Sequence, residues 1–416
     1  MLDLKWVREN PELLREAINK KREFAALTAL DELLGLDQQY RESLAEIESL
    51  RAEHKKTSRA VAGSPNPELL EAARTMAAEI KSKEQRVREF SERVSALLLE
   101  LPNPPLEDVP EGAGPEDNQV IATWGEPPQF GFEPLPHWEV AEKLGLVDFG
   151  KGATISGSGF PVFLGKGAAL ARTLIGYFLD FHVAAGFVEV APPLLVNRES
   201  ALGTAQLPDK EGQMYVVQDG LYLIPTAETP LTNLHRGEIL PASALPIRYV
   251  AYTPCFRREA GSYGKDVRGL NRLHQFDKVE MVVLSQPEHS VPELEALTAR
   301  AEALLRSLGL PYRKLFMCTG DMGFAQAKKY DLEVYAAGQK RWLEVSSISS
   351  FGDFQARRLQ TRYRDGDGKP KLVHTLNGSG LALPRVIAAI LENFQDSEGH
   401  VHLPPVLAER MGQEVL

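Results

Sequence analysis

The sequence predicts an α+β fold, an antiparallel β-sheet domain preceded by an antiparallel α-helical coiled-coil arm. Three observations predict it. Two stretches of three/four-spaced apolar residues flank Gly63-Ser64-Pro65-Asn66-Pro67. A run of short β-prone segments then fills the middle of the chain. Helical patterns stand at the ends of that run and do not alternate with its strands, which argues against a doubly wound α/β sheet.

With 416 residues the chain has room for more than one domain. It is 43% hydrophobic and 25% charged, a globular balance that excludes disorder, collagen and a membrane-embedded chain. No apolar run reaches the ~18 residues of a spanning helix. Met1-Leu2-Asp3-Leu4-Lys5-Trp6 lacks the basic-then-apolar order of a signal peptide. Cys255 and Cys318 make no disulfide framework and lie too far apart for a paired metal site. A reduced, soluble, cytoplasmic protein is expected. The net charge of −10 argues against coating nucleic acid through bulk positive charge, while leaving room for a local basic patch.

Asn10-Pro11-Glu12 reads as a helix start, with Leu13, Leu14, Ala17 and Ile18 on one face. The first arm carries Leu30, Leu33, Tyr40, Leu44, Ile47 and Val61, interrupted by Asp37, Arg51, His54 and Ser58. The second carries Leu69, Ala73, Met76, Ile80, Val87, Phe90, Val94, Leu97 and Leu101, broken only at Lys83. This is coiled-coil spacing, and the Gly/Pro turn forces antiparallel packing. At ~1.5 Å per residue, arms of about 32 residues project roughly 48 Å. Near the turn sit Arg51, Lys55, Lys56 and Arg59, with Arg74, Lys81 and Lys83 on the returning arm. A dimerisation or spacer coiled coil with a solvated charged face is one reading, and a tip that grips a phosphate backbone is the other. The expected organisation is a helical domain over 1–101, with its hairpin at about 28–101. A Pro/Gly/acidic linker follows over 102–118, then a second domain over 119–416.

The common nucleotide motifs fail in that second domain. Gly165-Lys166-Gly167 lacks the Ser/Thr and upstream glycine of a phosphate loop, and Gly157-Ser158-Gly159 lacks the third dinucleotide glycine. No HExxH occurs. Residues 170–181 predict a helix, and 186–197 a strand-like segment ending at Pro192-Pro193. Residues 214–217, 221–224, 248–252 and 278–284 predict strands, and 292–308 and 384–394 helices. Phe256-Arg257-Arg258-Glu259, the loop with Arg268 and Arg272, His274-Gln275-Phe276 and Lys278-Val279-Glu280 place arginines, carboxylates and an aromatic together. Charges in a sheet need partners, so this is either a structural ion-pair ladder or a polyphosphate site gripped by arginine forks.

These residues carry a resemblance. Phe256-Arg257-Arg258-Glu259 with His274-Gln275-Phe276 resembles motif 2 of class II aminoacyl-tRNA synthetases. The stretch from Thr375 to Arg385 resembles motif 3, and Gly186 to Pro193 resembles motif 1. Thr226-Ala227-Glu228, the Arg257-to-Glu280 block, Glu344-Val345-Ser346-Ser347 and the N-terminal hairpin are similar to the seryl-tRNA synthetase family, bacterial type, across essentially the whole chain. The resemblance implies a class II catalytic domain that joins L-serine to tRNA(Ser) through seryl-adenylate, and serylates tRNA(Sec) as well. It implies ATP as substrate with Mg²⁺, a homodimer, and no DNA or membrane partner.

It also implies residue roles. Arg257, Glu259 and Arg385 are the catalytic group. Arg257 holds the α-phosphate and the serine carboxylate, Glu259 and Phe276 face and stack on adenine, and Leu273 offers it backbone contacts. Arg258 is the variable motif position. Arg385 closes from the far side, and Val345 and Ser346 complete the nucleotide wall. Glu344 and Ser347 are the implied Mg²⁺ ligands, an oxygen set that suits magnesium. Thr226, Ala227, Glu228, Arg257, Glu280 and Ser379 form the serine pocket. In this family the arm reaches across the dimer to the long variable arm of the tRNA. The implied tRNA contacts here are Arg51, Lys55, Lys56, Arg59, Arg74 and Lys81. The sequence departs from the family at Pro384 and Ala205, where glycine is expected.

Each element also has a bland reading. Thr226-Ala227-Glu228 caps a helix, Phe276 is core, Glu344 is a surface acid, and Asn377 to Gly380 is a turn. Two functional alternatives stay open at this point, a catalytically inactive RNA-binding paralogue and an amino acid:carrier-protein ligase.

Overall fold

The computed structural model describes residues 1–63, 66–259 and 268–416. Ser64 and Pro65 of the predicted turn, and the middle of the Arg257-to-Glu280 block, lie outside the described residues. The chain forms two compact units, Met1–Pro102 and Asn103–Leu416.

The first unit is helical. Helices α1 (Leu4–Glu9) and α2 (Pro11–Lys20) precede the hairpin arms α3 (Ala25–Gly63) and α4 (Pro67–Leu99). α1 was not expected from the sequence. Asn10 makes no side-chain cap bond to α2; its Nδ2 donates to the Trp6 carbonyl (3.0 Å) and so closes α1. Asn66 does cap α4, accepting from the Glu68 amide. The first arm is longer than expected, at 39 residues, and the second is close to expectation, at 33. Leu30, Leu33, Ile47, Val94, Leu97 and Leu98 are buried along the seam. Between Ile47 and Val94 no described side chain is fully buried. Asp37, expected to interrupt the seam, is itself buried, because Arg41 Nε (2.9 Å) and Arg8 Nη1 (3.4 Å) donate to its carboxylate.

The second unit is built on an eight-stranded sheet. Its strands in chain order are β1 (Gln119–Trp124), β2 (Val188–Glu189), β3 (Ile247–Phe256), β4 (Gln275–Ser285), β5 (Tyr312–Phe316), β6 (Lys328–Ala336), β7 (Arg341–Ser350) and β8 (His374–Ala382). The spatial order is β1-β5-β6-β7-β8-β4-β3-β2. Every pair is antiparallel except β2 with β3. Successive strand residues face opposite sides. Val279, Met281 and Val283 face an apolar layer of three helices, α5 (Gly165–Val183), α6 (Ser290–Ser307) and α7 (Leu383–Asn393). Glu280 and Val282 face the other side, beside a smaller cluster with Ala227, Leu231 and Ala251.

Four expectations are corrected here. The 186–197 segment keeps only β2 and a second pair, Leu195–Val196, because prolines interrupt the ladder. Residues 214–217 form only an isolated bridge, Val216 to Tyr222. Asn377 to Gly380 lies within β8 and is no turn. The 102–118 stretch, read as a linker, is built into this unit. Asn103 Nδ2 donates to the Ala325 (2.9 Å) and Phe351 (2.8 Å) carbonyls, and Val109 is buried beside Met317. Prolines cannot join a ladder, but side-chain-to-backbone bonds pin such a segment down.

Gly380 has a steric duty: a Cβ there would stand 2.3 Å from His182 Nε2, inside the helical layer. Ala205 occupies the left-handed region (φ 63°), where glycine carries no penalty. Ala205→Gly is therefore expected to raise unfolding stability by up to about 1 kcal/mol, read as an upward shift in the denaturation midpoint.

Candidate active site

A cavity of about 420 Å³ opens on the Glu280 face of the sheet. Most of the residues singled out by sequence line it. Arg257, Glu259, Leu273, Phe276, Glu344, Val345, Ser346, Ser347 and Arg385 do, together with Thr226, Glu228, Glu280 and Ser379. Two do not. Ala227 is fully buried in the apolar cluster, and Arg258 is exposed, with its amide bonded to the Gln213 carbonyl (2.9 Å).

One end of the cavity is a buried polar pocket. Glu280 lies opposite Ser379 across β4 and β8, so both side chains share one face. Ser379 Oγ donates to Glu280 Oε2 (3.2 Å), and Asn377 Nδ2 donates to Glu280 Oε1 (3.0 Å) and Glu228 Oε2 (2.9 Å). Gln355 Nε2 donates to Glu228 Oε1 (2.7 Å). Lys278 Nζ sits 2.6 Å from Glu280 Oε2 and donates to Thr226 Oγ1 (2.9 Å). Burial, helped by the neighbouring Glu280 charge, pushes the Glu228 pKa up to about 7. Sequence reasoning missed Lys278, Asn377 and Gln355. The signal for the first two was period two: Lys278 stands two before Glu280, and Asn377 two before Ser379.

The other end carries the arginines. Arg257 follows β3; its guanidinium lies 5.1 Å over the Phe276 ring, and its Nε donates to the Pro225 carbonyl (3.4 Å). Glu259, in the left-handed region (φ 48°), accepts from Arg272 Nη1 (3.0 Å). Arg385 lies in the first turn of α7, where Pro384 fits without strain. Its Nε donates to the Asn271 carbonyl (3.0 Å) and its Nη1 to the Glu344 carbonyl (2.8 Å).

Residues three apart on a regular strand face opposite ways. A bulge in β7 between Glu344 and Ser346 resets the alternation, so Glu344 and Ser347 share a face. Desolvation alone would raise the Glu344 pKa, but the charges of Arg385, Lys329 and Arg257 outweigh it and hold the carboxyl below its usual range. Ser346 Oγ is bonded to the Ser379 carbonyl (2.6 Å), which ties β7 to β8. Three buried atoms of lining residues, Gln213 Oε1, Asn271 Oδ1 and Asn377 Oδ1, have no hydrogen-bond partner among the described residues. Buried polar atoms are normally satisfied, so these suit a polar ligand.

An antiparallel sheet bearing a polar cavity, with a strand-end arginine and a helix-start arginine lining it, is a class II aminoacyl-tRNA synthetase core. The family model for the class II core domain (G, H, P, S and T) matches residues 215–394. The Seryl-tRNA synthetase N-terminal domain model matches residues 1–105. A serine–tRNA ligase of Salinibacter ruber is 51% identical, covering 98% of this chain and 97% of its own. One of Thermodesulfovibrio yellowstonii is 49% identical over the full length of both. The crystal structure of seryl-tRNA synthetase from Pyrococcus horikoshii complexed with ATP superposes with a TM-score of 0.96. It is 40% identical and covers 100% of this chain and 99% of its own. The chain belongs to the seryl-tRNA synthetase family, the serine–tRNA ligases. Among the described residues no helix is long and apolar enough to cross a membrane.

The Glu228 pocket predicts a pH signature. An acid whose folded pKa lies above its unfolded value takes up a proton on folding, so stability falls as pH rises between the two values. Glu228→Gln removes that titration. From pH 5 to pH 8 the variant should gain up to about 3 kcal/mol relative to the parent in denaturant unfolding. A constant offset across this range would refute the raised pKa.

Proposed function

We propose that this cavity forms seryl-adenylate from L-serine and ATP and passes serine to the 3′-terminal ribose of tRNA(Ser). The observation that carries the reading is Arg257, which lines the cavity together with the carboxylate pocket and Phe276. Its fork suits two anions at once, the serine carboxylate and the α-phosphate. Glu280 and Glu228 face the serine ammonium, with Thr226 beside them. Phe276 offers its ring, Glu259 its carboxylate and residue 273 its backbone to adenine.

A carboxylate oxygen of serine bonds to the α-phosphorus, the bond to the β-phosphate oxygen breaks, and pyrophosphate leaves. The tRNA hydroxyl then attacks the activated carbonyl and AMP leaves. Both steps gather negative charge, so clamping and alignment by Arg257 and Arg385 supply the rate. Two donors of Arg385 are held by the Asn271 and Glu344 carbonyls, which leaves the rest of its fork for phosphate.

Mg²⁺ fits the Glu344 carboxylate and Ser347 hydroxyl, an oxygen set on one strand face whose remaining ligands would be phosphate and water. When bound it would neutralise phosphate charge. Alanine would leave the buried polar groups around the serine hydroxyl unpaired and is rejected strongly; threonine is excluded by size, a weaker discrimination. tRNA(Sec) belongs to the same proposal, because the serine pocket does not inspect the acceptor.

On the arm, Lys55, Lys56, Arg59, Arg74 and Lys81 are exposed, which suits a phosphate backbone. Arg51 is exposed too but pairs with Glu84 (2.7 Å) on the facing helix, so it also serves the hairpin. A homodimer through the motif 1 region is supported by β2, a sheet-edge strand with Val188 exposed.

Two experiments test the division of labour. Arg257→Ala should lower serine-dependent ATP–pyrophosphate exchange by about a hundredfold or more in a folded protein; near-normal exchange removes Arg257 from its role. Reversing Lys55, Lys56, Arg59, Arg74 and Lys81 to Glu should raise the KM for tRNA about tenfold or more and leave exchange unchanged. Equal loss of both activities would refute that assignment.

A further inference from the structure

The adenine-side wall of the cavity is anchored to a buried polar chain outside the cavity itself. His137 opens a short helix, His137–Lys143, and Glu392 lies near the end of α7; both are 0% exposed. Glu392 Oε1 accepts from the His137 amide (3.0 Å) and lies 2.7 Å from ring Nδ1. Gln339 donates to the same carboxylate from its amide (Oε2, 2.9 Å) and from Nε2 (Oε1, 2.7 Å); that Nε2 also stands 3.2 Å from His137 Nδ1.

On the far side of the ring the Leu270 amide donates to Nε2 (2.8 Å). A backbone amide only donates, so Nε2 is bare and the ring proton sits on Nδ1, facing the carboxylate. Gly269 (φ 68°) closes over the imidazole, and a Cβ there would stand 2.3 Å from Nε2. Gln339 Oε1 accepts from Asn271 Nδ2 (2.8 Å), and the Asn271 carbonyl accepts from Arg385 Nε (3.0 Å). Two branches therefore leave Glu392, one through His137 to residue 270 and one through Gln339 and Asn271 to Arg385. Leu270, Asn271 and Arg385 all line the cavity.

We propose that His137, Gln339 and Glu392 are positioning residues for the nucleotide, a tautomer-locked relay that sets the 270–273 wall and aims Arg385. The inference rests on the reading of that wall and Arg385 as the nucleotide side. Nothing in the relay touches the serine pocket, so its loss should act on ATP alone. Glu392→Gln turns an amide nitrogen toward groups that are all donors. Gln339→Ala cuts the second branch and removes one donor to Glu392, but leaves the His137–Glu392 contact and the residue-339 backbone bond to that carboxylate in place.

In serine-dependent pyrophosphate exchange with the full-length enzyme, the KM for ATP should rise about tenfold in Glu392→Gln, the factor for one lost hydrogen bond to a charged group. It should rise severalfold in Gln339→Ala, while the KM for serine stays within about twofold in both. Nitrogen-15 spectra of histidine-labelled enzyme, with the His137 signal assigned by its loss in His137→Gln, should show a proton on Nδ1 and a bare Nε2. An unchanged KM for ATP in Gln339→Ala, equal rises for both substrates, or a proton on Nε2 would overturn the relay. If Glu392→Gln does not fold, Gln339→Ala and the spectrum decide. Arg385→Ala separates the two layers. If it leaves the KM for ATP unchanged, the nucleotide-site reading falls; if it raises that KM while Gln339→Ala does not, the relay alone falls.

Discussion

Glu280 meets Ala251 on one side and Ser379 on the other, and this antiparallel register of β3, β4 and β8 is the constraint on which the catalytic unit depends. Its chain neighbours Val279 and Met281 face the helical layer. A slip of one residue would drive the carboxylate into that layer and put Met281 in the cavity. Glu280 is tolerable where it is because Lys278, Ser379 and Asn377 surround it. Without them, burying the charge would cost several kcal/mol. Strand pairing and pocket chemistry therefore stand or fall together.

The opposite wall solves a different problem. Arg385 lies in the first turn of α7, the end of a helix that repels a cation. Two backbone carbonyls, those of Asn271 and Glu344, and the Glu344 carboxylate at 3.8 Å offset that cost. The carbonyls lie on segments far apart in sequence, so the aim of this one side chain depends on both being held. The β7 bulge serves the same wall by bringing Glu344 and Ser347 to one face.

In the helical unit, packing and charge trade places along the hairpin. Arg93 grips Glu32 with two donors (2.6 and 2.7 Å) near the buried part of the seam. Farther out the arms are joined by exposed pairs such as Arg51 with Glu84 and Lys83 with Glu46. Exposed pairs contribute little each, typically under about 1 kcal/mol. The outer arm is thus held more weakly than its base and carries its basic residues where packing does not need them.

The helical hairpin was legible in the sequence because its apolar period is long and punctuated by Gly and Pro. The paired strands β3 and β4 were legible because their apolar runs are strong. Asp37 misled, since a buried carboxylate reads as a break in the seam until its arginine partners are known. β1, β5, β6, β7 and β8 were not predicted as strands, and β8 carries Asn, Gly and Ser that read as a turn. Arg257, Glu280, Glu344 and Arg385 were legible as a set because their residue types and order resemble a known family. By itself the sequence determined the α+β class, the arm and the chemistry-bearing residue types, since period, turn residues and motif order are local. The exclusion of Arg258 and Ala227 from the cavity wall was decided only by the tertiary structure. So were the joining of Lys278, Asn377 and Gln355 to the carboxylates and the anchoring of the 270–273 wall to His137 and Glu392. Period two puts Lys278 on the face of Glu280 and Asn377 on that of Ser379, but which buried donors then meet which acceptors is set across the fold, as with Gln355 and Glu228, 127 residues apart, or His137 and Glu392, 255 apart.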